Sequence, residues 1–351
     1  MIARIKMKTK NFVLFSTSVF VISFYIVVVL VYHSQPPQSI QNIVSQTHQH
    51  IKDFQENLKD EEQSNLVEDE RYLRAVGLEG PTELWHNTSV PVLVTCARGS
   101  AHAPVLEWLL AARRLPYTVL LYDLGLVAAS RTKVSNYCNS SKCAIVDFDL
   151  SVFPPHVSDE NIHAYRPLII QHALSRVGGV VWSEARRAWG GGARAGAGLA
   201  ALWARAARRG LVAWGRRAAV SSLTHPRMFH YLRARPDDFL FVNMLDARRL
   251  LLADRAAVRA LMRLWVQCAL TQDCIMPIGA QSDGCRFDKK PQYRYSGCHG
   301  ADASALSILV EQSDELRGAG DGGALEGGGG TAEAGGGAAA GGGGNTYNRT
   351  R

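Results

Sequence analysis

The stretch 164–189, AYRPLIIQHALSRVGGVVWSEARRAW, constrains the fold of this chain more than any other. Apolar residues recur through its first half with the spacing of an amphipathic helix, and Gly178 and Gly179 end that pattern. The run 180–182 then has the composition of a short buried strand, and Glu184 follows it. Ligands bind outside the carboxyl ends of strands in open α/β sheets. Glu184 is therefore either a ligand for a metal or sugar hydroxyl, or a solvated turn residue.

An uncharged run at residues 11–32 is long enough to cross a bilayer as one helix. The basic residues that precede it are Arg4, Lys6, Lys8 and Lys10. Positive charge on a short N-terminal flank favours the cytosolic side of the membrane. A cleaved signal peptide is the alternative, but the run exceeds a usual h-region and no small-residue cleavage site follows. We predict a cytoplasmic flank at 1–10 and an uncleaved type II anchor at 11–32.

Cysteine and asparagine patterns agree with a lumenal location for the rest of the chain. Three close cysteine pairs suggest disulfides: Cys138 with Cys143, Cys268 with Cys274, and Cys285 with Cys298. An oxidising lumen permits such bridges, although six cysteines allow about fifteen pairings. Cys96 is left over. Glycosylation sequons begin at Asn87, Asn139 and Asn348, which are acceptors in a lumenal glycoprotein.

The net charge of +8 is unevenly spread, because residues 185–236 contain eleven arginines and no acidic residue. A basic field of this kind attracts phosphates, acidic glycans or anionic membrane. The alternative is a composition drift towards Ala, Gly and Arg that leaves a solvated, partly flexible face. We expect no nucleic-acid partner, because the domain is predicted to be lumenal.

The pattern between the anchor and the C-terminus divides into a stem, a head and a tail. Residues 33–70 are polar and too poor in apolar residues for a core, and residues 318–351 are mostly Gly and Ala. We predict a stem at 33–70, a globular head at 71–317 and a disordered tail at 318–351. The first expected elements of the head are strand 91–96, helix 105–114, strand 117–125, strand 144–148, helix 164–177 and strand 179–183. Further elements are expected at 211–215 (strand), 224–232 (helix), 239–245 (strand), 254–271 (helix, capped by Asp254) and 298–312 (helix).

This alternation of strands and helices predicts an α/β fold with a mainly parallel sheet and helices on both faces. No nucleophile elbow, P-loop or zinc motif is present in the sequence. The remaining candidates for chemistry are Asp123, Glu184, His299 and Asp302. A nucleotide-sugar transferase needs a divalent cation held by acid and imidazole to neutralise the diphosphate leaving group. His299 is either such a ligand or a turn histidine beside a disulfide.

Seven segments carry a resemblance to a known family: VLLYDLGL at 119–126, FDLSVFPPHV at 148–157, AYRPLIIQHAL at 164–174, VVWSE at 180–184, THPRMFHYL at 224–232, WVQCAL with CIMP at 265–277, and CHGADASAL at 298–306. The chain resembles the animal single-pass type II Golgi glycosyltransferase-like proteins of the nucleotide-diphospho-sugar transferase superfamily. The resemblance implies a GT-A-like mainly parallel mixed sheet, a Golgi membrane location and a sugar transfer reaction.

The resemblance also implies roles for individual residues. Glu184 and Asp302 would be catalytic, Asp123 and Arg166 would bind the nucleotide-sugar donor, and Glu184 and His299 would hold a divalent cation, Mn²⁺. The acceptor would be a glycan or a glycoprotein. The expected function is therefore metal-dependent transfer of a sugar from a nucleotide diphosphate in the Golgi lumen.

Departures from the family pattern leave a second function open. The family has an Asp where this chain has Glu184, and a Ser or Asp at the position of Arg186. At the C-terminal motif, Gly300, Ala301, Ala303 and Ser307 replace larger polar or aromatic groups. A longer acid moves a ligand oxygen, and a guanidinium beside it competes for the position of the metal. The alternative is a catalytically degenerate membrane protein that binds glycans or a partner enzyme.

The type II topology is testable in cells. We expect the full-length protein to show a mass shift sensitive to N-glycosidase, because its sequons would face the lumen. Protease added outside sealed microsomes should cleave the N-terminal flank and leave the head intact. Digestion of the head instead would contradict the topology.

Overall fold

The computed structural model describes residues 9–33, 65–85, 90–187, 193–288 and 291–320. The chain divides into two compact units, Met1–Ser64 and Asn65–Arg351. The first unit contains helix α1, Thr9–His33, which includes the run predicted as an anchor. Within the described residues, no helix has both the length and the apolar character needed to cross a membrane. The anchor at 11–32 therefore stays a prediction, and most of the expected stem lies outside the described residues.

The second unit is the head, and its elements alternate as expected. Its helices are α2 (Glu70–Ala75), α3 (His102–Ala112), α4 (Ala128–Tyr137), α5 (Tyr165–Val177), α6 (Ala193–Arg209), α7 (Pro226–Tyr231), α8 (Ala256–Leu270), α9 (Gln272–Ile275) and α10 (Asp302–Gln312). Its strands are β1 (Val92–Gly99), β2 (Val119–Leu126), β3 (Cys143–Asp147), β4 (Gly179–Ser183), β5 (Leu211–Ala219) and β6 (Asn243–Ala253). Short 3₁₀ turns lie at Leu150–Val152, Pro155–Ser158, Ala185–Arg187, Val220–Ser222 and Pro236–Phe239.

The described strands form one six-stranded sheet in the order β3-β2-β1-β4-β6-β5. Strands β1 to β4 are mutually parallel, and β6 runs antiparallel to both β4 and β5. The chain leaves β1 towards β2 and β3 and later returns to place β4 on the opposite side of β1. The carboxyl ends of β1 and β4 therefore flank a topological switch point, where α/β sheets open a crevice. The predicted mixed, mainly parallel α/β sheet is confirmed.

Helices cover both faces of the sheet because alternate strand residues are apolar on both sides. Val94 and Val180 face a core that contains apolar residues of α5, α8 and α10. Leu93 and Val181, each adjacent to one of those residues in its strand, face the opposite side of the sheet and a second core with α3 and α6. The arginine-rich segment therefore contains an ordered helix and strand rather than only a flexible face.

Two adjacent glycines join α5 to β4. Gly178 ends the helix with φ of 68°, a left-handed conformation that favours glycine, and its N–H donates to the Leu174 carbonyl at 2.9 Å. A Cβ at Gly179 would lie 2.6 Å from a ring carbon of Trp203. One glycine is thus needed for backbone conformation and the other for close packing, and together they set where Glu184 emerges from the sheet.

Several boundaries differ from the sequence expectation. The strand expected at 239–245 begins only at Asn243 and continues to Ala253, because residues 236–239 form a 3₁₀ turn. Asp254 does not cap α8; its carboxylate instead pairs with Arg259 at 2.9 Å. The three predicted disulfides are confirmed, and Cys96 is a free thiol.

Both ends of the head extend past the predicted limits of 71 and 317. The Val67 N–H donates to the Thr271 hydroxyl at 2.9 Å, so residues counted as stem pack on the head. At the other end Leu316 is 1% exposed and Ala319 is 4% exposed. The Ala213 N–H of β5 donates to the Ala319 carbonyl at 3.0 Å. Residues 318–320 therefore belong to the head, and the rest of the expected tail lies outside the described residues.

Leu316 should contribute measurably to the stability of the head. Replacing a fully buried leucine with alanine removes apolar contacts and leaves a cavity, which costs about 2–5 kcal/mol. We expect Leu316→Ala to lower the thermal midpoint by several degrees, and Leu264→Ala, at a residue that is 40% exposed, to change it little. An unchanged midpoint for Leu316→Ala would show that the segment after α10 contributes nothing to the packed core.

Candidate functional site

A cleft opens at the switch point between β1 and β4. This first cleft has a volume of about 390 Å³ and lies over the carboxyl ends of the two strands. Its lining residues are Cys96, Ala97, Arg98, Ala101, Pro104, Val105, Leu124, Glu160, Asn161, His163, Tyr165, Glu184, Ala185 and Arg186. Ligands of open α/β sheets bind at such a switch point, so this cleft is the expected ligand site.

A smaller second cleft adjoins the first. It has a volume of about 210 Å³, and Asn161 and His163 line both clefts. Its other lining residues are Arg166, Arg216, Asp246, Ala247, Arg248, Ser282, His299, Gly300, Ala301, Asp302 and Ala303. Together the two clefts provide room for two ligands that meet near His163.

A buried arginine joins two carboxylates between the clefts. Arg166, in the first turn of α5, donates one terminal N–H to the Glu184 carboxylate and another to the Asp302 carboxylate. The side chains of Arg166 and Asp302 are each 2% exposed, whereas that of Glu184 is 24% exposed. The Arg166 Nε is buried and has no hydrogen-bond partner among the described residues. We call these three residues the Arg166 triad.

Three separate elements bring the triad together. The N-terminal end of α5, the carboxyl end of β4 and the N-terminal end of α10 converge at the same end of the sheet. Glu184 leaves the sheet one residue after β4 ends, as the sequence predicts, and its N–H donates to the Arg248 carbonyl at 3.0 Å. The Trp265 indole N–H donates to the Asp302 carbonyl at 2.9 Å and holds the start of α10.

Burial and neighbouring charges have opposite effects on the pKa values of Arg166 and Asp302. Burial lowers the pKa of Arg166, but Asp302 and Glu184 outweigh that effect and keep the pKa above its ordinary value. The guanidinium therefore stays charged. Complete burial raises the pKa of Asp302 to about 6, although Arg166 opposes the rise. Glu184 is the one carboxylate of the triad with access to the first cleft.

His299 is buried and uses both ring nitrogens within the protein. Its Nδ1 accepts from the His225 N–H at 3.1 Å, so its Nε2 carries the proton and donates to the Ile275 carbonyl at 3.0 Å. Burial lowers the pKa of His299 to about 4, and the ring is neutral at physiological pH. A neutral imidazole with both nitrogens bonded to the main chain has no lone pair left for a metal.

The residues expected to hold Mn²⁺ do not fit a metal site in this structure. Glu184 lines the first cleft and His299 the second, and Arg166 already binds both carboxylates of the triad. The part of the chain that the structure describes contains no group of three His, Cys, Asp or Glu side chains arranged to hold a cation. The structure does not bring Glu184 and His299 together as joint ligands: they line different clefts, Arg166 pairs with one oxygen of Glu184, and the main chain binds both nitrogens of His299.

Two other expected roles also differ. Asp123 is 4% exposed, and one of its oxygens accepts from the N–H groups of Gly125 and Leu126 at 2.9 and 2.7 Å. Its other oxygen pairs with Arg131. Asp123 thus closes the turn after β2 and lines neither cleft. Asp302, which the resemblance makes catalytic, is 2% exposed, and its side chain pairs with Arg166.

The structure adds site residues that the sequence did not single out. His163 and Ala301 line the second cleft with φ of 57° and 44°, a region that non-glycine residues rarely adopt. Strained backbone of this kind clusters at functional sites. His163 lies just before the AYRPLIIQHAL segment and outside it, so no sequence signal indicates it; Ala301 is marked only as a departure from the family motif.

No protein-family model matches the chain, and no curated protein matches it either.

The Arg166 triad predicts a pH-dependent loss of stability in Arg166→Met. Removing the guanidinium leaves two carboxylates without their partner, which costs about 3–5 kcal/mol for a buried pair. The folded-state pKa of Asp302 already lies above its unfolded value, so stability is lost as pH rises through the folded pKa. Urea unfolding should therefore show a larger deficit at about pH 7.5 than at about pH 5.

Two further variants control this measurement. Arg166→Met with Asp302→Asn should recover part of the stability, because the double variant removes the more deeply buried charge. Arg208→Met, at an exposed arginine of α6, should have little effect. If Arg166→Met loses the same stability at both pH values and the double variant recovers none of it, the charge balance described for the triad is wrong.

Proposed function

We propose that this protein is a type II glycosyltransferase of the Golgi membrane, moving a sugar from a nucleotide diphosphate to a glycan or protein acceptor in the lumen. The observation that carries the proposal is the pair of adjoining clefts at the β1–β4 switch point, with the partly exposed Glu184 carboxylate lining the first cleft and bound to Arg166, which lines the second. A transferase needs two binding places that meet at one reactive group. The proposal assigns the donor to the first cleft and the acceptor to the second.

The fold and the three disulfides support the proposal independently of the site. A mainly parallel sheet with one antiparallel strand, β6, is consistent with the GT-A-like fold that the sequence resemblance implies. Three disulfides fit a lumenal or secreted head, since such bridges persist in oxidising compartments. The expected position in the membrane depends on the predicted anchor at 11–32.

The partly exposed carboxylate of Glu184 has a chemical role in this proposal. Arg166 donates to one of its oxygens and fixes its position beside the first cleft. A carboxylate can take the proton of an acceptor hydroxyl while the hydroxyl oxygen bonds to the anomeric carbon of the donor. The bond from that carbon to the diphosphate breaks, and the nucleotide diphosphate leaves with the electron pair.

The same contacts support a second candidate function. Arg166 occupies both carboxylates, so a head that binds a nucleotide-sugar without transferring it is also consistent with the site. Such a protein would act as a binding or scaffolding partner in the same membrane. Binding and turnover have to be measured separately to tell the two apart.

The decisive experiment combines both measurements on the full-length protein in detergent. A panel of UDP- and GDP-sugars is tested for binding by calorimetry, and bound donors are tested for nucleotide release with a glycan acceptor mixture. We expect one donor class to bind and to be turned over. Glu184→Gln should keep binding and lower turnover by about 100-fold or more, which is typical of losing a general base.

Glu107→Gln, at an exposed position of α3, is the matched control and should behave as wild type. Binding without turnover would favour the second candidate over the transferase. If no nucleotide-sugar binds, both candidates fail.

A further inference from the structure

We infer that the head meets the negative charge of a diphosphate with two arginines, Arg98 and Arg186, and not with a divalent cation. The inference rests on the proposed function in one respect, that the ligand of the first cleft carries a diphosphate. It assigns a phosphate subsite to side chains that the expected metal site did not include.

The position of the two arginines supports the subsite. Arg98 lies near the carboxyl end of β1, and Arg186 lies in the 3₁₀ turn that follows β4. Both line the first cleft, so they flank the switch point from its two sides. A diphosphate bound over these strand ends would have one guanidinium on each side.

Both side chains keep donor capacity for an anion. Arg186 is exposed and forms no ion pair with any residue that the structure describes. Arg98 donates to the Ser158 carbonyl, and its Nε lies 3.7 Å from the largely exposed Glu160 carboxylate, which is a weak partner. The Ser158 contact fixes the guanidinium and leaves other N–H groups for phosphate oxygens.

The Arg166 triad explains why a metal would not take this role. Carboxylates are the protein ligands that a divalent cation most often uses beside a phosphate, and Arg166 already pairs with one oxygen of Glu184 and one of Asp302. A cation bound at Glu184 would lie beside the guanidinium and would be repelled by its charge. An exposed guanidinium can bind phosphate oxygens directly, with two parallel hydrogen bonds and a charge that does not titrate.

The sequence is consistent with this exchange. In the family that the chain resembles, a Ser or Asp stands at the position of Arg186, next to the acid at the end of the fourth strand. This chain has Glu184 in place of that acid and a cation two residues after it. These two positions therefore hold an acid bound to Arg166 and an exposed arginine at the cleft.

Inorganic pyrophosphate is the probe for this subsite. Calorimetric titration of the full-length protein in EDTA should show binding. A parallel titration without EDTA and with excess Mn²⁺ should show no higher affinity, and an equal concentration of sulfate should not abolish binding in either buffer. Arg98→Gln and Arg186→Gln should each weaken the affinity by about 10-fold or more, since a hydrogen bond to a charged group is lost. Arg186→Lys should lose less affinity for pyrophosphate than Arg186→Gln, because the positive charge remains.

Arg114→Gln, at an exposed arginine just beyond α3, is the matched control and should bind pyrophosphate as wild type does. Pyrophosphate binding that requires Mn²⁺, an absence of binding, or silent Arg98 and Arg186 variants would each overturn the inference. If pyrophosphate binds tightly without metal but no nucleotide-sugar binds, the proposed transferase function is wrong and the arginine subsite is supported. The two ideas therefore fail on different measurements.

Discussion

The contact of Arg166 with Glu184 and Asp302 is the interaction on which the site depends. It ties together residues that are 18 and 136 positions apart from Arg166, on three different elements of the head. One carboxylate already balances the charge of the guanidinium, and two carboxylates without the arginine would repel each other. Both carboxylates therefore depend on Arg166. Such a triad adds little net stability compared with apolar packing, but it fixes the relative positions of α5, β4 and α10.

Most of the fold could be predicted because its signals are local. The helix–glycine–glycine–strand pattern located α5 and β4, and close cysteine pairs located the three disulfides. The position of β6 could not be predicted in the same way. Asp246, Arg248 and Arg249 interrupt its apolar pattern because that strand carries polar groups at its cleft end, whereas residues 239–242 are more apolar yet lie in a turn and a loop. Hydrophobicity alone favoured the wrong segment.

The site was harder to predict than the fold, for a physical reason. The sequence indicated Glu184 and Asp302, which lie in contact with the same arginine, but it could not show what binds them. Their partner is chosen by tertiary packing, and a carboxylate facing a cation site looks identical in sequence to one facing a guanidinium. His299 was assigned a metal for the same reason. Only its surroundings reveal that the main chain of His225 and Ile275 already uses both of its nitrogens.

The packing of the C-terminal segment against β5 affects how the head behaves among other proteins. β5 is the last strand of the sheet on its side, and an outermost strand offers unpaired N–H groups to which a foreign strand can add. The Ala319 carbonyl already takes the N–H of Ala213, and Arg216 and Arg217 place positive charge further along the same strand. Charge and occupied hydrogen bonds are the devices by which natural sheets resist aggregation. The few residues after α10 thus cover part of an edge to which another strand could otherwise add.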